Sequence, residues 1–370
     1  MFQSRSRLSL IGKPVRVKAF GFLLASISFL VSTYALAQSH VYVSVAGENR
    51  IAVYARETGT GELTHQSDTR INGEPGALTV NSTRTLVFAS IRSTGHLTSF
   101  RRDPTTGDLR LLSEIPAGAD PAYVSLDGSG KFLLSAYYVA AKVAVHRILD
   151  DGTLLPEPVQ ELPTAEKAHA IDTDRSNRFA FVPHTGPNAI FQFAFDAETG
   201  TLRPGAVARV QRPPNTGPRH LSFHPTADFA YVSDEQGSSI SVYRFLADAG
   251  QLEPIQTEST LPPDFGDRNS TAHLEVHPSG QFVYVANRGH DSLARFRIDQ
   301  RSGRVTSLGQ TSTEATPRSF HCSPSGKHLY AAGQSSGKVA LFAVDLATGA
   351  LFRTKTYEVG DRPWWVMVVE

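Results

Sequence analysis

RHLSFHPTADFAYVSD, residues 219–234, reads as two short runs of alternating apolar and polar residues hinged on a His-Pro turn, the pattern of a β-hairpin. The same pattern returns as GALTVNSTRTLVFAS (76–90), AYVSLDGSGKFLLSAY (122–137), HAIDTDRSNRFAFVPH (169–184), AHLEVHPSGQFVYVAN (272–287) and RSFHCSPSGKHLYAAG (318–333). A truncated copy, PWWVMVVE, occupies 363–370. Between the hairpins a Gly-x-Leu type of turn recurs with its glycine at 61, 107, 152, 200, 250, 303 and 349, giving intervals of 46, 45, 48, 50, 53 and 46 residues. That period is the size of a four-stranded propeller blade, and seven copies predict an all-β, seven-bladed β-propeller with antiparallel four-stranded blades. The last copy holds one strand, while HVYVSV (40–45) supplies a second, so N- and C-terminal strands are expected to close the ring in one shared blade. No helical periodicity or linker interrupts residues 38–370, which read as one domain.

Residues 1–37 carry Arg5, Arg7, Lys13, Arg16 and Lys18 with no acid, then the apolar run AFGFLLASISFLVSTYA and Ala35-Leu36-Ala37. This is the arrangement of a secretory signal cut after Ala37, so export to the periplasm or medium is expected, with no stable membrane insertion afterwards. Removing those five cations from 36 leaves 31 against 35 acids, a formal charge of −4. Such a surface argues against nucleic acid as a partner. Cys322 is the lone cysteine, which excludes an internal disulfide.

The repeat exposes what is not repeated. In a propeller, the start of each innermost strand and the end of the following strand face one mouth of the central channel. The hairpins align without gaps, so two rings can be read. The first is Gly76, Ala122, His169, Arg219, Ala272, Arg318 and Trp364; the second is Arg92, Tyr138, Thr185, Glu235, Arg288, Gln334 and Ala46. Framework positions are uniform and apolar, whereas these rings vary and concentrate charge, as a site grafted on a scaffold does. Four arginines at one mouth repel one another and call for an anion. His224 and His277 fall in the hairpin turns. His220 reads as a packing or strand-polar residue; along a strand it stands about 13 Å from His224, too far to share a metal. No HExxH, cysteine cluster, GxSxG, GxGxxG or P-loop string occurs, so neither metal nor cofactor is expected.

GPRHLSFHP, YVSDEQGSSISVY, HPSGQFVYVANRGHDS, TPRSF, YAAGQSSGKVALF and PWWVMVV together resemble the seven-bladed propeller lactonases, a family that includes bacterial 6-phosphogluconolactonase and a fungal carboxymuconate cyclase. The likeness extends over nearly all of 40–370. It implies catalytic roles for His169, Arg219, Glu235 and Arg288, all four of which already stand in the two rings. Arg219 and Arg288 would bind a carboxylate or phosphate and stabilise an oxyanion, His169 would deprotonate water, and Glu235 would orient the histidine or act as base itself. Arg92, Arg318 and Gln334 would hold peripheral substrate oxygens, with Tyr138 and Trp364 as a sugar-contacting wall. The chain departs from the family in reading Ala272-His273-Leu274-Glu275 where Ala-Glu-Ile-His is frequent. The expected activity is metal-independent hydrolysis of a sugar lactone by a monomer; cyclisation of a muconate-type diacid, or ligand binding without turnover, are the alternatives.

Overall fold

In the computed structural model the described residues are Ser9, 12–14, 38–118 and 120–370, so the expected signal segment lies outside them apart from four positions. Seven antiparallel four-stranded sheets form, as the repeat predicts. In the blade that contains the opening hairpin, Pro218–Phe223 is innermost, followed outward by Phe229–Asp234, Ser239–Leu246 and Gln251–Ser259. The closing blade is built from both ends of the chain: Pro363–Val369 is innermost and pairs with Ser39–Val45 from His40↔Val369 to Val45↔Pro363.

Alternation within each strand sends one row of apolar side chains to each face, and neighbouring blades bury those rows against each other. Thus Val41, Val43 and Leu63 of the closing blade pack with Tyr330, Val339 and Leu341 of the preceding one. Burying each such side chain contributes about 1.5–3 kcal/mol, and without a disulfide these layers between blades hold the ring.

The recurrent glycines belong to the same interfaces. Gly303 has φ of 71°, a Cβ there would overlap the Phe229 ring of the neighbouring blade, and its carbonyl accepts a 3.0 Å hydrogen bond from Tyr231 Oη. Tyr42 and Tyr284 make the equivalent bonds to Gly107 and Gly349 at 2.8 and 3.2 Å. His224 and His277 sit in turns as expected, and both also bind across blades, from Nε2 to the carbonyls of Gly280 and Gly326 at 2.9 Å.

One blade departs from the pattern. Its innermost strand is reduced to Asp172–Thr173, preceded by a single bridge between Ala168 and His184, with Lys167 at φ of 59°. His169 therefore lies in an irregular segment, tied by its backbone N–H to the carbonyl of Pro183 at 3.0 Å.

Candidate active site

The first ring is made by a β-bulge repeated around the propeller. In the opening hairpin Pro218 pairs with Asp234 and His220 with Ser233, so Arg219 has no partner. Arg318 is skipped between Pro317↔Gly333 and Ser319↔Ala332, and Ala122 and Trp364 are skipped likewise. A bulge turns its extra residue out of the ladder and re-aims the side chain, here into the channel mouth.

Glu235 is the centre of the mouth. Its Oε2 lies 3.2 Å from Arg219 Nε and 4.0 Å from His169 Nε2, and its Oε1 accepts from Arg288 at 3.0 Å. The same guanidinium of Arg288 donates to the Thr271 carbonyl at 3.0 Å. The Arg219 side chain is 2% exposed and that of His169 6%, against 22% for Glu235. Burial works against the Glu235 carboxylate, but Arg219 and Arg288 outweigh it and hold its pKa below the usual carboxylate value. Burial pulls His169 well below the ordinary histidine value, reinforced by Arg219, Arg318 and Arg92, so its imidazole is neutral at pH 7. Arg219 Nε, Arg288 Nε, Glu235 Oε2 and His169 Nδ1 are buried without a hydrogen-bonded protein partner. Four buried polar atoms left without protein partners around one mouth leave hydrogen-bonding capacity for a polar ligand.

On the far side Arg92 makes a bidentate pair with Asp120 at 2.6 and 2.5 Å. Trp364 contacts two guanidinium groups, with Arg92 5.1 Å and Arg318 4.7 Å from its ring centroid. Arg318 has only Gln334 Oε1 beside it, at 3.4 Å, and no carboxylate pairs with it among the described residues. Burial, then Arg288 and Arg92, push its pKa down to about 9. Tyr138 meets His169 edge-on at 5.5 Å. The structure thus brings all nine expected residues to one mouth. Six of them, Arg92, Tyr138, His169, Glu235, Arg288 and Arg318, line a cavity of about 220 Å³. Beneath it Arg219 and Trp364 line a narrow extension with His220 and Trp365.

Two contributors were not foreseen. Asp120 stands two residues before the first ring, where the blades carry Glu74, Asp120, Lys167, Gly217, Ser270, Thr316 and Arg362, a position as variable as the rings themselves. His220, expected to be a packing or strand-polar residue, is buried and packed and also contacts Arg219: its Nε2 lies 3.1 Å from Nη1. A strictly alternating strand would send residues 219 and 220 to opposite faces, and the bulge removes that restriction. A larger cavity of about 630 Å³ opens at the other end of the channel. It contains two carboxyl groups, Glu275 and Asp172, whose pKa values burial raises, that of Asp172 to about 8, and lacks the cluster of arginines found at the mouth.

The fold is a sevenfold propeller whose cationic mouth joins bulge residues such as Arg219 and Arg318 with Arg92, Glu235 and Arg288 from the ends of the second strands, and the chain belongs to the propeller lactonases: "Lactonase, 7-bladed beta-propeller" matches over residues 34–118 and 111–368. Among its relatives, the 6-phosphogluconolactonase of Pectobacterium carotovorum subsp. carotovorum is 31% identical over 332 residues, which is 90% of this chain and 99% of that one. The 6-phosphogluconolactonase of an Enterobacter species is 31% identical over 328 residues, covering 89% of this chain and 98% of the relative. Among solved structures, the periplasmic gluconolactonase of Pseudomonas aeruginosa superposes with a TM-score of 0.83 at 27% identity, covering 90% of this chain and 99% of that one.

Proposed function

We propose that the protein hydrolyses a sugar lactone in this mouth, outside the cytoplasm, with His169, Arg219, Glu235 and Arg288 as its catalytic groups. The carrying observation is the cluster in which two arginines grip Glu235 while neutral His169 stands 4.0 Å from the same carboxylate. A lactone carbonyl seated between Arg219 and Arg288 would find guanidinium donors where its oxygen gains negative charge as water attacks. Glu235 already holds those guanidinium groups in place, so little reorganisation accompanies the reaction.

His169 takes the proton from water. Its neutrality leaves it able to accept, but the surrounding arginines make it a weak base. An anionic substrate offsets those charges and so raises the basicity of His169 as it binds. Glu235 is the poorer base, being held ionised by two arginines. It steadies the imidazolium once formed. The positive charge then passes as a proton to the ring oxygen as the ester bond opens.

Charge supports an anionic group on the substrate. Arg92, Arg219, Arg288 and Arg318 supply four positive charges against two negative ones on Asp120 and Glu235, a net +2 with His169 neutral. Arg318 is the natural seat for that group, with Arg92, Gln334 and the Trp364 face around it. Export agrees with the similarity to a periplasmic gluconolactonase and with the sequence of residues 1–37. The assay compares phosphorylated and unphosphorylated aldonolactones of one sugar by pH-stat, corrected for spontaneous opening, on the chain from residue 38. Turnover abolished by His169→Ala and by Arg219→Ala supports the reading; turnover undiminished in both refutes it.

A further inference from the structure

The floor of the mouth is a pair of histidines that the lactonase chemistry does not use. His220 Nε2 lies 3.1 Å from Arg219 Nη1, and His220 Nδ1 lies 2.9 Å from Nδ1 of His273 on the next blade. A guanidinium has donors and no acceptor, so His220 must present a lone pair at Nε2 and carry its proton on Nδ1. A 2.9 Å contact between two Nδ1 atoms then has one direction: His220 donates, His273 accepts, and His273 carries its own proton on Nε2. Protonating His220 would put an N–H against an N–H and a second cation beside Arg219. The aromatic surroundings leave the rings little room to turn. His220 meets His169, Tyr123 and Trp365 at centroid distances of 5.1, 5.2 and 6.0 Å, and His273 meets Phe320 and Trp365 at 5.1 and 5.2 Å. The charged and titratable groups facing His220 are Arg219, His169, His273, Arg318 and Tyr123, and burial together with the first four holds it neutral.

We infer that His220 and His273 are positioning residues, a neutral imidazole pair with His220 locked as its Nδ1–H tautomer, which fixes the guanidinium of Arg219 from below. Glu235 holds the Nε side of the guanidinium at 3.2 Å and His220 holds Nη1, while Nη2 contacts no protein acceptor among the described residues. That atom is thereby aimed at the substrate. The kinetic consequences rest on the lactonase reading; the tautomer does not.

The test therefore has two arms. In the first, the chain from residue 38 is labelled with ¹⁵N-histidine and its imidazole signals are assigned using His220→Gln and His273→Gln. The expected spectrum shows His220 protonated at Nδ1, bare at Nε2 and unchanged from about pH 5.5 to about 8.5. A proton on Nε2, or titration in that range, overturns the inference. In the second, His220→Phe is expected to lower kcat about 10- to 100-fold with KM changed less than about threefold, because an oxyanion donor is displaced and not removed. His220→Gln, whose amide oxygen can accept from Nη1, is expected to return to within about threefold of the parent. In an Arg219→Lys background His220→Phe should cost less than about twofold more, since both substitutions act through one group. Full multiplicative loss in that background, or a Gln variant as impaired as the Phe one, overturns the positioning role. A parent protein without turnover overturns the lactonase reading instead, and the spectrum then decides the pair.

Discussion

Replacing Arg318 with methionine is expected to stabilise the protein while impairing it. The folded protein holds this guanidinium well below the ordinary arginine value, at a pKa of about 9, because burial and the charges of Arg288 and Arg92 oppose it. Below pH 9 the penalty is present in full; it fades as pH rises above about 9, where stability rises with pH because the unfolded chain binds the proton more tightly. At about 1.36 kcal/mol for each tenfold change in proton affinity, the penalty is on the order of a few kcal/mol. Partial solvent access to the guanidinium reduces that figure, and loss of the stack on Trp364 removes about 0.5–1 kcal/mol. The net expectation is a gain of about 1–3 kcal/mol at pH 7. For about 330 residues, with an unfolding entropy near 2.1 cal/mol/K each, this raises Tm by about 1.5–4 °C. Calorimetry should show the rise, and pH-stat kinetics should show KM for a phosphorylated aldonolactone increased at least about tenfold, the loss of one charged hydrogen-bonding partner. Added inorganic phosphate should raise the Tm of the parent more than that of Arg318→Met, as ligand binding to the folded state requires. A variant that melts below the parent, or that keeps its KM, refutes the assignment of Arg318 as the cation left for the substrate.

Other outcomes follow from the same geometry. The acid limb of the kcat/KM profile should fall well below pH 6.5, since burial and then Arg219, Arg318 and Arg92 lower the pKa of His169, and Arg318→Met should move that limb to higher pH by removing one of those cations. His169→Ala should lower kcat about 10²- to 10⁴-fold while a sugar-acid product binds with little change, read by titration calorimetry. Glu235→Gln leaves two arginines without their shared carboxylate and should cost about 2–3 kcal/mol in chemical denaturation, less than for a fully buried pair because the carboxylate is 22% exposed. Gly303→Ala should cost about 2–4 kcal/mol through positive φ and overlap with Phe229, with kcat/KM at the distant mouth unchanged.

The ring positions were legible because a repeat supplies its own control: seven copies of one scaffold make charge stand out against glycine, alanine and tryptophan. Even the irregular segment around His169 kept its place in that alignment. What repetition could not show is how two neighbours on a strand come to face the same way. Arg219 and His220 were separated by the alternation rule, and the bulge that reunites them has no residue signature of its own in this blade beyond the preceding Pro218. Yet proline also precedes the ring at Pro75, Pro121, Pro317 and Pro363. Proline has no N–H to give to a ladder and is confined to bulges, edges and strand starts, so five prolines at one repeat position already mark where pairing breaks. Asp120 escaped for a different reason: it lies outside the aligned hairpin, in a connection whose conformation the repeat does not dictate. Its carboxylate occupies Arg92, and that pairing is what leaves Arg318 as the arginine free of a carboxylate among the described residues. The four arginines look equivalent in the sequence; their division of labour comes from two carboxylates, one on a ring and one just outside it.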